Sequence, residues 1–144
     1  MPPGPARGAV GRHTSGHPAS EGAPARRQRL GRLGEEAAVA VLRSRVYRIL
    51  ERNVRLRRRE VDVIAEEHGN LVFVEVKARR SEVYGTPAEA VGPRKQRALA
   101  ALAAAYCSRR GLGERACRFD VVEVRLDRGG RPIRVDVLRD AFRP

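Results

Sequence analysis

Leu30, Leu33, Ala37, Ala38, Val41 and Leu42 recur three and four residues apart, the spacing that lines up side chains on one face of a helix. The pattern predicts an amphipathic helix over 29–45. After it the period shortens to two. Residues 47–53 predict a strand with Tyr47 and Ile49 inward, and 60–66 and 71–77 predict two more, joined by a turn at His68-Gly69. The Ala-rich stretch 87–110 predicts a long second helix, interrupted at Gly92-Pro93 and ended by Gly111 and Gly113. Strands at 118–125 and 133–138, with a turn over 127–132, complete the series. The order α-β-β-β-α-β-β predicts an α/β fold, a mixed central sheet with helices packed on it. Residues 1–28 are rich in Pro, Gly, Ala, Ser and Arg and lack apolar periodicity, so they are read as a disordered basic tail preceding one domain over 29–144. His13 and His17 fall in that tail. Pro18 and the nearby glycines argue against a helix that would aim both at a metal.

Register sharpens the picture. With His68-Gly69 as a two-residue loop, Glu67 faces Asn70 and every later pair follows. Asp62 then lies opposite Glu75, Glu60 opposite Lys77, and Ile64 opposite Phe73. Alternation puts Val61, Val63, Ala65, Val72, Val74 and Val76 on one apolar face and gathers Glu60, Asp62, Glu75 and Lys77 on the other. Two carboxylates directly opposed repel each other, and a divalent cation between them removes that penalty. Hard oxygen donors suit Mg²⁺ or Mn²⁺, and Mg²⁺ keeps waters that a substrate phosphate can replace. Lys77 points to the same side, where it can hold a phosphate or help deprotonate an attacking water. An ordinary solvent-facing row of charges is the competing account of the same pattern.

Charge changes the choice of partner. Thirty basic residues against seventeen acidic ones give a formal net charge of +13, which favours a polyanion, with nucleic acid ahead of an anionic membrane. A compositional bias toward Arg could produce the same excess. Only two of those thirty are lysines, however, Lys77 and Lys95. A compact, titratable ammonium is kept at these two places where a planar guanidinium serves everywhere else. Arg52, Arg55, Arg57, Arg58 and Arg59 crowd the segment just before the first acidic strand, where they would meet flanking phosphates. Cys107 and Cys117 stand apart from any CxxC or His pair and are read as two reduced thiols. No signal peptide is read, and the apolar run 98–107 is too short to span a bilayer, so a soluble cytoplasmic protein is expected.

Glu60-Val-Asp62, then Val74-Glu75-Val76-Lys77 after an eleven-residue gap, resembles the PD-(D/E)xK nuclease motif. With Gly31-x-x-Gly34-Glu35-x-x-Ala38, Arg52-Asn53-x-Arg55, Phe73 to Arg79, Gly85, Lys95 and Arg118-Phe-Asp-Val-Val122, the whole set resembles the YraN-type family of bacterial proteins, itself similar to archaeal Holliday-junction resolvases. The match runs from about residue 29 to 125. The resemblance implies a restriction-endonuclease-like fold. It implies a metal bound by Asp62, Glu75 and the Val76 carbonyl, with Lys77 as catalytic lysine and Glu35 as a further acid near the metal. Lys95 would face the phosphate backbone together with Arg55, Arg57, Arg58, Arg59 and Arg79. Junction-cutting relatives act as dimers, so a homodimer is implied too. Arg59 and Val46 stand where most relatives have Gly, which leaves the acids and lysine intact but puts the turn into the site in question.

Three functions compete. One is an endonuclease-like enzyme cutting DNA, branched or otherwise non-duplex, by Mg²⁺-assisted hydrolysis. Another is a non-catalytic nucleic-acid-binding module that keeps the fold, and the last is a structural or partner-binding protein whose charge reflects composition. A pure binder has no need of the acid, acid, lysine set.

Overall fold

The computed structural model describes residues 22–80 and 91–144. Helix α1, Ala23–Ser44, begins six residues before the sequence pattern suggests, so 23–28 belong to the helix and not to a tail. Pro24 in the first turn presets the helical φ, and Arg26, Arg27, Gln28 and Arg29 are good helix formers that need no apolar partner. Strands β1 (Arg48–Leu56), β2 (Arg59–Glu67) and β3 (Asn70–Arg80) form an antiparallel meander. Helix α2, Pro93–Arg109, follows, then β4 (Cys117–Leu126) and β5 (Pro132–Leu138). The expected interruption at Gly92-Pro93 is the start of α2, with Gly92 as N-cap and Pro93 in the first turn. The expected helical residues 87–90 lie outside the described residues.

The five strands stand in chain order, with β3 and β4 parallel and every other pair antiparallel. This mixed sheet, flanked by two helices, is the predicted α/β architecture. On one face α1 contributes Ala38, Val39 and Leu42 to a core with Val63, Ala65, Val72, Val74, Val122 and Val124. On the other, α2 packs Leu99, Leu102 and Tyr106 against Ile64, Phe73 and Val121. Tyr106 also donates a hydrogen bond to Glu51 Oε2 at 2.5 Å, tying α2 to β1.

His68 and Gly69 make the expected two-residue turn, both left-handed at φ 48° and 80°, and Glu67 pairs with Asn70. The β1–β2 turn is of the same kind but carries Arg57 and Arg58, at φ 48° and 66°. An L residue other than Gly, Asn or Asp costs about 1–2 kcal/mol there. Arg59, flagged as a departure, pairs with Leu56 in the ladder and lies outside the left-handed region, as does Val46, which is 62% exposed. Neither site requires glycine.

Cys107 and Cys117 are free thiols, yet their Sγ atoms are 3.6 Å apart. The crossover from β3 through α2 returns the chain beside the helix end, bringing together two thiols that the sequence shows only as isolated. Arg118-Phe-Asp120 also proves architectural. Arg118 Nε pairs with Asp120 Oδ1 at 2.8 Å and Nη1 with buried Glu67 at 3.0 Å, while Tyr47 donates to Asp120 Oδ2 at 2.8 Å. This cluster involves Tyr47 of the α1-side core, on the sheet face opposite Glu75.

Gly34 sets how closely α1 approaches β3. A Cβ there would lie 2.5 Å from the Ala78 Cβ, whereas one at Gly31 would meet nothing within 4 Å. Gly34→Ala should therefore destabilise the fold by about 1–3 kcal/mol through overpacking. Gly31→Ala should stabilise it by up to about 1 kcal/mol through helix propensity. Chemical denaturation of the two variants checks the opposite signs.

Candidate active site

Adjacent antiparallel strands pair until something intervenes, and between β2 and β3 the ladder stops at Val63↔Val74. The expected opposition of Asp62 to Glu75 and of Glu60 to Lys77 is therefore not a ladder pairing. Instead, Asp62 Oδ2 accepts the Val76 backbone N–H at 2.7 Å, taking the place of a strand partner. Glu60 pairs with Arg55 across β1, with an Arg55 Nε to Glu60 Oε2 distance of 3.1 Å. The strict alternation also breaks here, since Val61 joins the α2-side core with Ile64 instead of the α1-side core with Val63.

Glu75 follows Phe73 on the α2 face and is only 7% exposed. Both lysines of the chain reach it. Lys77 Nζ lies 3.6 Å from Oε1, and Lys95 Nζ, from the first turn of α2, lies 3.7 Å from Oε2. Lys95 Nζ also approaches the Glu60 carbonyl oxygen at 3.4 Å. Even so, Glu75 Oε2 has no hydrogen-bond partner. Burial, then the charge of Asp62, push the Glu75 carboxyl up to about 7 against the pull of Lys95 and Lys77. Asp62 is raised by burial, offset in part by the Val76 N–H and the two lysines. Glu35 on α1 is raised by burial and next by Asp62, and its Oε1 is also buried without a partner. Asp62 is thus the electrostatic neighbour shared by Glu35 and Glu75.

Asn53, which enters the sequence pattern only within Arg52-Asn53-x-Arg55 and without an assigned role, is a further member of the site. It sits in β1 with φ 50°, and its side chain opposes the upward push on the Glu35 carboxyl. Asn is depleted in strands and tolerates the left-handed region, so an Asn inside a predicted strand was the available signal. Glu35, Asn53, Arg55, Glu60 and Asp62 line a cavity of about 530 Å³. A second cavity of about 800 Å³ adjoins it across the Arg55–Glu60 pair and is lined by Arg55, Arg58, Arg59, Arg94 and Lys95. Arg57 is not among the residues lining either cavity, nor is Arg79, which lies beside Arg125 near the end of β3. Arg52 is held by Glu36 at 2.7 Å.

Among the described residues no three His, Cys, Asp or Glu side chains converge as a ready metal cage. The donor chemistry nonetheless fits a hard divalent cation: half-buried Asp62 and buried Glu75 on adjoining strands, with partnerless oxygens on Glu75 and Glu35. Asp62, Glu75 and the Val76 carbonyl are the residues that would hold it.

The family described as "Uncharacterised protein family UPF0102" matches residues 34–124. A UPF0102 protein of Moorella thermoacetica is 49% identical over 116 residues, covering 81% of this chain and 97% of its own length. One of Symbiobacterium thermophilum is 51% identical over 115 residues, covering 80% and 97%. One of Syntrophus aciditrophicus is 46% identical over 114 residues, covering 79% and 88%. No helix among the described residues is long and apolar enough to cross a membrane.

Glu75 makes stability depend on pH in a defined direction. Its folded value, about 7, lies above the ordinary 4.5, so the stability it lends is complete below 4.5 and lost as pH rises through 7. In chelator, Glu75→Gln should match the parent near pH 4 and exceed it above neutrality by up to about 3 kcal/mol. Denaturant unfolding at the two pH values is the measurement.

Proposed function

This chain belongs to the UPF0102 (YraN) family, and on that premise we propose that it is a restriction-endonuclease-like, metal-dependent endonuclease hydrolysing phosphodiester bonds in structured DNA in the cytoplasm. The observation that carries this reading is Glu75, a buried carboxylate beside Asp62 that is met by both lysines of the chain while Oε2 keeps no hydrogen-bond partner. Such an arrangement leaves oxygen donors for a cation and ammonium groups for a phosphate in the same few ångströms.

In this reading Asp62 and Glu75, with the Val76 carbonyl, hold Mg²⁺ or Mn²⁺. The ion would supply Lewis acidity toward the phosphate and a more acidic bound water. The chain's own groups do the rest. The Val76 N–H fixes one Asp62 oxygen and leaves the other to bind. Lys77 Nζ sits beside Glu75, where an ammonium stabilises charge that builds on the phosphoryl oxygens. Glu35 Oε1, buried and partnerless, is an acceptor for a proton of the attacking water. Lys95 and the arginines of the larger cavity hold the backbone that flanks the scissile bond.

One observation favours a second reading, a nucleic-acid-binding module without catalysis: the absence of a three-ligand metal cage among the described residues. Labelled four-way, flap, single-stranded and duplex DNA, incubated with Mg²⁺, Mn²⁺ or EDTA, separates the two. The nuclease reading expects metal-dependent cleavage that Lys77→Ala lowers by about 10²–10³-fold with the fold intact. Binding of these DNAs with no cleavage in any metal would replace it with the binding module.

A further inference from the structure

The β1–β2 hairpin turns on Arg57 and Arg58, both exposed and both left-handed, with Leu56 and Arg59 as the closing pair. Two-residue turns of this kind are normally Asn-Gly or a close equivalent, because other side chains crowd the backbone at positive φ. The neighbouring hairpin, at His68-Gly69, obeys that preference at its second position. The arginine turn does not. Among the described residues neither Arg57 nor Arg58 has an ion-pair partner, and neither do Arg59 and Arg94 nearby. The arginines at 48, 52, 110, 115, 118, 134, 139 and 143 each hold a carboxylate. A strained turn that spends two large cations on no internal contact points outward for its reason.

Arg58 lines the cavity of about 800 Å³ between this hairpin and the first turn of α2, while Arg57 stands at the tip outside that lining. Arg55, Arg58 and Arg59 line one wall and Arg94 and Lys95 the other. Lys95 belongs to both places, since it also pairs with Glu75 at 3.7 Å. The one carboxylate in the lining, Glu60, is paired with Arg55, and the remaining cations, spread along two walls of a groove that Lys95 links to Glu75, match a chain of phosphates better than a single small anion. We propose that the Arg57-Arg58 tip is a phosphate clamp, kept against the stability of its own turn, that grips the phosphodiester backbone of a DNA strand at the mouth of this groove, Arg58 from its wall and Arg57 from just outside it. The inference rests on the nucleic-acid part of the function proposed above, and not on cleavage.

The test uses the full chain in EDTA, so that cutting plays no part, with anisotropy of labelled single-stranded and duplex DNA over a KCl series. Arg57→Asn combined with Arg58→Gly installs the residues that the turn prefers. Its Tm should rise by about 5 °C as the strain is relieved. Its DNA affinity should fall about tenfold or more, with the salt slope reduced by about 2, one for each lost phosphate contact. Arg57→Lys with Arg58→Lys, which keeps charge and strain together, should leave Tm unchanged and retain most of the affinity. A more stable Asn-Gly variant that binds DNA as tightly as the parent overturns the clamp. So does a fall in its Tm, which would show that the arginines stabilise the turn, or a parent protein that binds no DNA. A parent that binds through the tip but cuts nothing with Mg²⁺ or Mn²⁺ keeps the clamp and removes the nuclease.

Discussion

Parallel pairing of β3 with β4 is the constraint from which the rest of the molecule follows. Ten consecutive pairs, from Leu71↔Cys117 to Arg80↔Leu126, join strands that no hairpin can connect. The chain must leave the sheet and return, and α2 makes that return across the face carrying Phe73 and Val121. Because α2 begins at Pro93, its first turn comes down beside Glu75 and places Lys95 there. On the other flank of β3 the antiparallel ladder to β2 ends at Val63↔Val74, which releases Asp62 to accept the Val76 N–H. The site forms where one ladder stops while the other continues.

The two lysines now have a physical account. Arg118 shows what a guanidinium does with buried acids in this protein: it forms paired contacts that use both carboxylate oxygens of Asp120, at 2.8 and 2.9 Å. An arginine at 77 or 95 would satisfy Glu75 in the same manner and close it to other partners. Ammonium groups at 3.6 and 3.7 Å neutralise Glu75 as point charges and leave Oε2 without a hydrogen bond. Two of the buried acid groups thus do opposite work. One, on the Tyr47 side, is saturated and locks β4 to β2, and the other is held under-satisfied beside two cavities.

Where a residue's type already encoded its backbone state, the fold was legible from the chain. Gly69 marked a tight turn, and the register from Glu67↔Asn70 carried correctly through Val63↔Val74. It failed at Asp62, because a side chain that replaces a backbone partner leaves no trace in a period-two pattern. The helix start at Ala23 was hidden for a related reason: its first turns are exposed and polar, so no apolar period announces them. Arg57 and Arg58 concealed a turn that normally declares itself with Asn or Gly. Of the site, Asp62, Glu75 and Lys77 could be read from spacing, whereas the arrival of Lys95 depends on the α2 crossover and could not. The proximity of Cys107 to Cys117 is likewise a product of tertiary structure.

The central claim is that Asp62 and Glu75 are paired for a cation and not merely for the two lysines. Crystals grown with Mn²⁺ and measured at its anomalous edge test this directly. The account predicts an anomalous peak within bonding distance of an Asp62 oxygen and of Glu75 Oε2, with Lys95 Nζ displaced from that oxygen. An empty position at high Mn²⁺, with Lys95 and Lys77 still closed on Glu75, would contradict it and reduce the cluster to a structural ion pair.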